Sequence, residues 1–180
     1  MADDDLIRAL LEDRLDIAIV TKLDREMDSV RLQRLFDDEL RAVVASNHPW
    51  AGPGQASAED FADAHLVLYD TYDPLRTPAL PLPIPPGALP GRLTTIPVAT
   101  ELLIEMVASG DSVTVLPSWI VAPYLETHDL TTLQVGNAPL ARTWYCAMRH
   151  GQSSETIGVL SNLTLDYLSR DNNIARTALA

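Results

Sequence analysis

Apolar and polar positions fall in blocks along the chain, and each block has the period of one kind of element. Leu6, Ile7, Leu10 and Leu11 recur at helical spacing. Asp3, Asp4 and Asp5 ahead of them favour a helix start by capping and charge–dipole attraction. Asp16-Ile17-Ala18-Ile19-Val20 is nearly all apolar, the pattern of a strand covered on both faces in an α/β sheet. A polar segment, Thr21 to Ser29, follows. Val30, Leu32 and Leu35 lead into a second strand, Leu40 to Ala45, which ends at the turn signal Asn47-His48-Pro49. Ser57-Ala58-Glu59-Asp60-Phe61 has the form of a capped helical turn, with Ser57 as N-cap and an acid three residues on. His65 to Tyr69 predicts a third strand.

Eight prolines lie between Pro74 and Pro97. That density excludes a helix and predicts an extended segment, partly polyproline II, laid over a surface. A domain linker is the competing reading. Arg92 to Ile96 reads as a strand. Thr100 then stands as a helix N-cap with Glu101 in the first turn. Leu102, Leu103, Met106 and Val107 make one helical face, and Gly110 sits where a left-handed C-cap belongs. Val113 to Pro117 is a strand closed by proline. Strand, helix and strand together predict a βαβ unit with parallel pairing and a right-handed crossover. Leu130 to Val135, with Gly136-Asn137 as its turn, and Arg142 to Met148 predict two further strands. Ser153 or Ser154 caps a last helix through Ile157, Leu160, Thr164, Leu165 and Leu168, and the chain frays from Asp171 on. The fold class is α/β.

Composition narrows the function. In 180 residues, 47% are hydrophobic, enough for a core and too many for disorder along the whole length. Length alone allows one domain or two small lobes. Lys plus Arg is 13 against 25 Asp plus Glu, a net charge of −12. Such a chain repels phosphate backbones, which makes it a poor candidate for a free-standing nucleic-acid binder. Arg31, Arg34 and Arg41 are interleaved with Asp37, Asp38 and Glu39, so they form no basic stripe. The single Cys146 excludes an intramolecular disulfide framework and fits a reducing cytoplasm. The acidic opening predicts no signal peptide. No apolar run approaches the roughly 18 residues that a membrane-spanning helix needs.

Enzyme signals are weak. There is no GxSxG serine, no glycine-rich phosphate loop and no HExxH. His48, His65, His128 and His150 lie far apart and supply no metal set, so neither metal nor cofactor is expected. Cys146 sits mid-strand among apolar residues, as an inert buried thiol does. Trp119 and Tyr124 read as core aromatics or pocket lining. What remains is binding. Open α/β sheets hold ligands at the carboxyl ends of their strands and at helix N-termini. Thr21, Thr71 and Thr100 occupy such places, and their hydroxyls with nearby N–H groups suit a carboxylate or amino-acid-like anion. Turn or cap roles are the plainer alternative for each.

The residues also carry a family resemblance. Leu11-Glu12-Asp13-Arg14-Leu15-Asp16-Ile17-Ala18-Ile19 resembles the L-x-x-G-x-L-D-hydrophobic-Ala-Ile block of LysR-type transcriptional regulators. Leu40 to Pro49 resembles the family's strand ending in His-Pro, and Ser57 to Phe61 its short helix before the second lobe. Glu105 to Gly110, through Val115-Leu116-Pro117, resembles the V-x-x-G-x-G-hydrophobic-x-x-L-P block, with Ser112 in place of the second glycine. The Trp119 context and the strand Arg142 to Met148 are loosely closest to regulators of methionine biosynthesis.

The resemblance implies a periplasmic-binding-protein-like effector domain: two α/β lobes, a cleft, and a small molecule that biases an oligomer. Lobe one would be residues 1–67 plus 142–180, and lobe two 68–141, with its proline-rich 74–97 segment. Thr21, Thr71 and Thr100 would contact the effector, and Tyr69 and Pro117 would shape the walls. The family's helix-turn-helix and the first strand, helix and strand of lobe one have no counterpart here. The chain by itself is therefore expected to bind no DNA and to leave the Asp16–Val20 strand with an open edge. The implied function is effector sensing in a cytoplasmic homo-oligomer, without enzyme activity or membrane contact. The competing readings are a solute-binding protein of the same fold and a truncated dimerisation partner of a full-length regulator. The subgroup points to sulfur amino acids such as homocysteine.

Overall fold

The protein is described from a computed structural model, which places residues 3–21, 29–52, 54–78 and 80–151, and residues 155, 158–160, 162, 163 and 166. They group into two compact units, Met1–Asp38 with Ala141–Ala180 as unit 1 and Glu39–Leu140 as unit 2. Residues 39–67, expected with the first lobe, thus belong with residues 68–140.

In unit 1, helix α1 (Asp3–Leu11) packs on a sheet made by β1 (Ile17–Val20), β8 (Leu140–Arg149) and the first part of β2 (Val30–Ala45), in the order β1-β8-β2. β1 and β8 are antiparallel, with Ile17 opposite Met148 and Val20 opposite Tyr145. Ile7 and Leu10 of α1 bury themselves against Ala18, Val20, Val30 and Ala147. The other cluster joins Leu35, Cys146 and Met148 with Ile17, Phe36 and Trp144. β1 is therefore not covered on both faces as expected. It alternates, with Ala18 and Val20 buried and Ile19 39% exposed, because it ends an antiparallel sheet. Of the expected last helix, residues 155, 158–160, 162, 163 and 166 are helical. Ser153, Ser154, Ile157, Thr164, Leu165, Leu168 and the tail lie outside the described residues, as do residues 22–28 of the polar segment.

The turn from α1 into β1 has a specific fastener. Asp13 takes a left-handed φ of +58°, a conformation that favours glycine and that Asp tolerates better than most side chains. The Arg149 guanidinium donates to the Leu10 carbonyl and, at 2.7 Å, to the Leu15 carbonyl, and pairs with Asp13 at 2.9 Å and Asp16 at 3.5 Å. Leu10 is among the last α1 carbonyls, which have no partner inside the helix. A fork of several N–H donors can serve two carbonyls and two carboxylates together, whereas one ammonium cannot.

Unit 2 is built around the second part of β2. It pairs antiparallel with β6 (Thr114–Pro117), Leu40 facing Pro117, and with β7 (Leu130–Val135), Arg41 facing Gln134. The short β3 (Gln55–Ala56) runs parallel to β7. β4 (His65–Tyr69) and β5 (Arg92–Ile96) pair in parallel from His65/Arg92 to Tyr69/Ile96. On the other side of β4, Val113 forms a parallel bridge, its N–H donating to His65 O and its carbonyl accepting from Val67 N, both at 2.9 Å. The two strands of the expected βαβ unit therefore do not pair directly; β4 lies between them.

Helix α2 (Ala58–Asp63) starts on the expected reciprocal cap, Ser57 N donating to Asp60 at 2.7 Å and Asp60 N to Ser57 Oγ at 3.3 Å. In α3 (Thr100–Ala108) the buried residues are Leu103, Ile104 and Val107, while Leu102 is 51% exposed. The inward face is thus turned toward Ile104, relative to the expected Leu102/Met106 stripe. Gly110 follows at φ +98°, as its C-terminal place required. Helix α4 (Ser118–Leu125) was hidden in the sequence by its internal Pro123.

The proline-rich segment lies within unit 2 rather than linking two domains. Pro83, Ile84 and Pro85 are buried, and Ile84 joins the core of Leu66, Leu68, Val115 and Leu133. Gly136, at φ +70°, sits so close that a Cβ there would stand 3.3 Å from the Pro85 ring. A second core packs Val43 and Leu116 against Leu103, Ile104, Val107 and Val121. Beside these cores Thr114 is 0% exposed, and its Oγ1 has no hydrogen-bond partner among the described residues.

Two stability changes follow from these contacts. Thr114→Val removes a buried, unpaired hydroxyl and is expected to stabilise by about 1 kcal/mol, raising Tm by roughly 2–4 °C. Arg149→Lys is expected to lower Tm by a comparable or larger step, at about 1–3 kcal/mol, because one ammonium cannot serve the Leu10 and Leu15 carbonyls and also reach Asp13 and Asp16. Calorimetric melting of the two variants against the parent checks both.

Candidate ligand-binding site

The parallel run of β4, β5 and the Val113 strand sends three carboxyl ends to one end of unit 2: Tyr69 and Ile96, paired in register, and Pro117 at the close of β6. Helices begin there too. α3 has Ala99 as N-cap and α4 has Pro117, and neither cap makes a side-chain hydrogen bond. Thr100 is accordingly the first helical residue, not the N-cap that its sequence position suggested. The contrast with the doubly bonded cap of α2 is informative. First-turn N–H groups of a helix lack internal partners, and the N-cap residues of α3 and α4 offer them no side-chain acceptor.

The Thr100 hydroxyl turns instead to Tyr69, its Oγ1 lying 2.8 Å from the phenol oxygen across 31 positions of sequence. Burial pushes the Tyr69 phenol above its usual range, partly offset by the bond to Thr100, and the nearby Glu101 adds to the rise. From α4, the Tyr124 hydroxyl donates to Glu101 at 3.4 Å. Burial is the main cause holding its phenol up as well, followed by the charge of Glu101. Tyr69, Thr100, Glu101 and Tyr124 thus form one group of hydroxyls around a single carboxylate. It offers hydrogen-bond donors and acceptors and no nucleophile–base pair of the kind covalent catalysis uses.

Of the residues singled out in the sequence, Tyr69, Thr71, Thr100 and Pro117 come to this end of unit 2. Thr71 is half-buried in the single 3-10 turn Asp70–Tyr72 that directly follows β4. Pro117 is buried. Thr21 is half-buried just beyond β1, in unit 1. Tyr124 was read from the sequence as core aromatic or pocket lining, and Glu101 only as a first-turn acid of α3. Glu101 directly follows Thr100, but its approach to Tyr124 depends on the unforeseen α4. Cys146 is 1% exposed and its thiol is pushed up by burial, the inert state expected for it. Among the described residues, no three His, Cys, Asp or Glu side chains are grouped to hold a metal ion. No helix among them is long and apolar enough to cross a membrane.

Open mixed sheets with helix starts gathered at strand carboxyl ends are the architecture of periplasmic-binding-protein-like domains. Residues 1–169 match the family model of the LysR substrate binding domain, and the chain belongs to that family. MetR of Haemophilus influenzae, an HTH-type transcriptional regulator, is 31% identical over 150 residues, covering 83% of this chain and 48% of that protein. The regulatory domain of MetR from N. meningitidis, a LysR family regulator, has a TM-score of 0.74 and 26% identity over 92% of this chain and 76% of that one. The reduced OxyR regulatory domain from Pseudomonas aeruginosa shares the fold, with a TM-score of 0.68 and 22% identity over 91% of this chain and 79% of that one. The chain spans about half the length of the curated relatives it matches.

The buried phenol gives this site a pH signature. A phenol raised above its usual value of 10.0 stays protonated when the unfolded chain ionises, so its share of stability is lost as pH rises past 10. Tyr69→Phe is expected to flatten that alkaline loss, measured by urea unfolding from pH 8 to pH 11.

Proposed function

We propose that the chain senses a small anionic effector of amino-acid type, as the ligand-binding and oligomerising part of a LysR-type regulator. The observation that carries this reading is the meeting of the Tyr69–Thr100 hydroxyl pair with two helix starts that lack side-chain caps. A carboxylate is the acceptor such N–H groups favour, through direct hydrogen bonds and the helix dipole. Hydroxyls that both donate and accept fit the remaining polar groups of an amino acid. Glu101 offers a counter-charge to an ammonium. Thr71 and Pro117 are the further candidate contacts in unit 2, and Thr21, just beyond β1, is a candidate on its strand-end position alone. A sulfur amino acid such as homocysteine is the first ligand to try, because the MetR relatives are among those this chain matches.

The domain binds its effector and does not turn it over. With a net charge of −12 it leaves DNA contact to other parts of a regulator, which would act in the cytoplasm as a homo-oligomer. The effector shifts the regulator only by its different affinity for two conformations.

Thermal melting with a panel of amino acids, including homocysteine and methionine, tests the reading. A ligand at a hundredfold its Kd is expected to stabilise by about 2.7 kcal/mol, several degrees in Tm. Thr100→Val is expected to weaken the binding about tenfold, the loss of one good hydrogen bond. No shift with any amino-acid-like ligand at millimolar concentration overturns the effector class.

A further inference from the structure

At the far end of β2 the chain turns through His48 into a single 3-10 turn, Pro49–Ala51. His48 is the N-cap of that turn, and its side chain is the acceptor: Trp50 N donates to His48 Nδ1 at 3.2 Å. The backbone on either side is tied down, His48 N donating to Ala45 O and Ala51 N to His48 O, each at 2.9 Å. The rings continue the contact inward. The His48 ring meets the Trp50 ring edge-on at 5.4 Å, and Trp50 meets Phe61 edge-on at 5.1 Å. Phe61, from α2, is 0% exposed in the core of unit 2.

An imidazole nitrogen that accepts a hydrogen bond carries no proton, so this cap exists only while the ring is neutral. Protonation would set an N–H against the Trp50 N–H. We propose that His48 is an acid-released cap: its protonation frees the Trp50 N–H, opens the Pro49–Ala51 turn and loosens the Trp50 ring from Phe61. The groups around the ring favour this direction. Trp50 and, through it, Phe61 pack against it, Asn47 precedes it, and burial is the influence that holds its pKa below the usual 6.5. The turn is therefore at full strength above pH 6.5 and is lost as pH falls through the lower folded value. His65 is a separate case. Its Nε2 lies 2.9 Å from Thr94 Oγ1, and it is faced by Arg92 and Asp111, so its titration reports on the start of β4 and β5.

Nuclear magnetic resonance of the whole chain from pH 8 to pH 5 reads the cap directly. The Trp50 amide resonance should move with the midpoint of the His48 ring, below pH 6.5. Its amide exchange, corrected for intrinsic rate, should be at least tenfold faster at the acid end. In His48→Asn the side chain still caps but cannot titrate, and the Trp50 amide should stay protected throughout. The proposal is overturned if His48 protonates while the Trp50 amide keeps its position and protection. It is equally overturned if His48 stays neutral down to pH 5, or if the asparagine variant shows the same transition. Should that variant not fold, the parent titration alone decides between these outcomes.

Discussion

Direction is the constraint on which the candidate site rests. β4 accepts β5 on one side and the Val113 bridge on the other, both in parallel, so chain polarity is shared across all three. Parallel strands cannot be joined by tight hairpins, and each must be followed by a crossing segment. Those segments begin at the same end. The α3 and α4 starts, the Asp70–Tyr72 turn and the Tyr69 side chain are brought together by this one choice of strand sense. The apolar cores then hold the arrangement: Leu66 and Leu68 pack to one side of β4, and Tyr69 with Ile96 joins Leu103 and Ile104 on the α3 side.

The anionic effector proposed for so acidic a chain looks contradictory until range is considered. At physiological salt the repulsion between exposed charges fades over about 8 Å. Hydrogen bonds from N–H groups at a helix start act at contact distance and are weakened far less. The acids here are also partly engaged, Glu101 with Tyr124, Asp70 with Arg76 and Glu39 with Arg41. The net charge therefore bears mainly on which large partners approach, above all nucleic acid, and little on whether a small carboxylate can settle among donors.

Strands β4, β5 and β7 were legible at their boundaries because each is a short apolar or β-branched run between turn residues. The Ser57 cap was legible because both partners lie within one turn. What escaped depends on contacts distant in sequence. β2 continues for 16 residues through polar positions that read as a lead-in, since strands on either side pair with it. β3 is two residues long and exists through its pairing with β7. The inward face of α3 was set by what it packs against, so Ile104 replaced Leu102. At the site, Tyr69 and Thr100 could each be named from strand ends and helix starts. Their hydrogen bond could not, because it joins two crossovers.

Unit 2 is one continuous stretch of chain, whereas unit 1 takes its helix and first strand from the beginning and β8 from beyond residue 140. During synthesis α1 and β1 are made long before β8, so Ile17 and Val20 gain their strand partners, Met148 and Tyr145, late. Ordering so large a loop of chain is an entropic delay that local pairings do not face. Unit 2 can therefore consolidate before the pairing of β1 with β8 completes unit 1. Closure of the chain between β1 and β8, not any local pairing, is then the late and rate-setting event in forming unit 1.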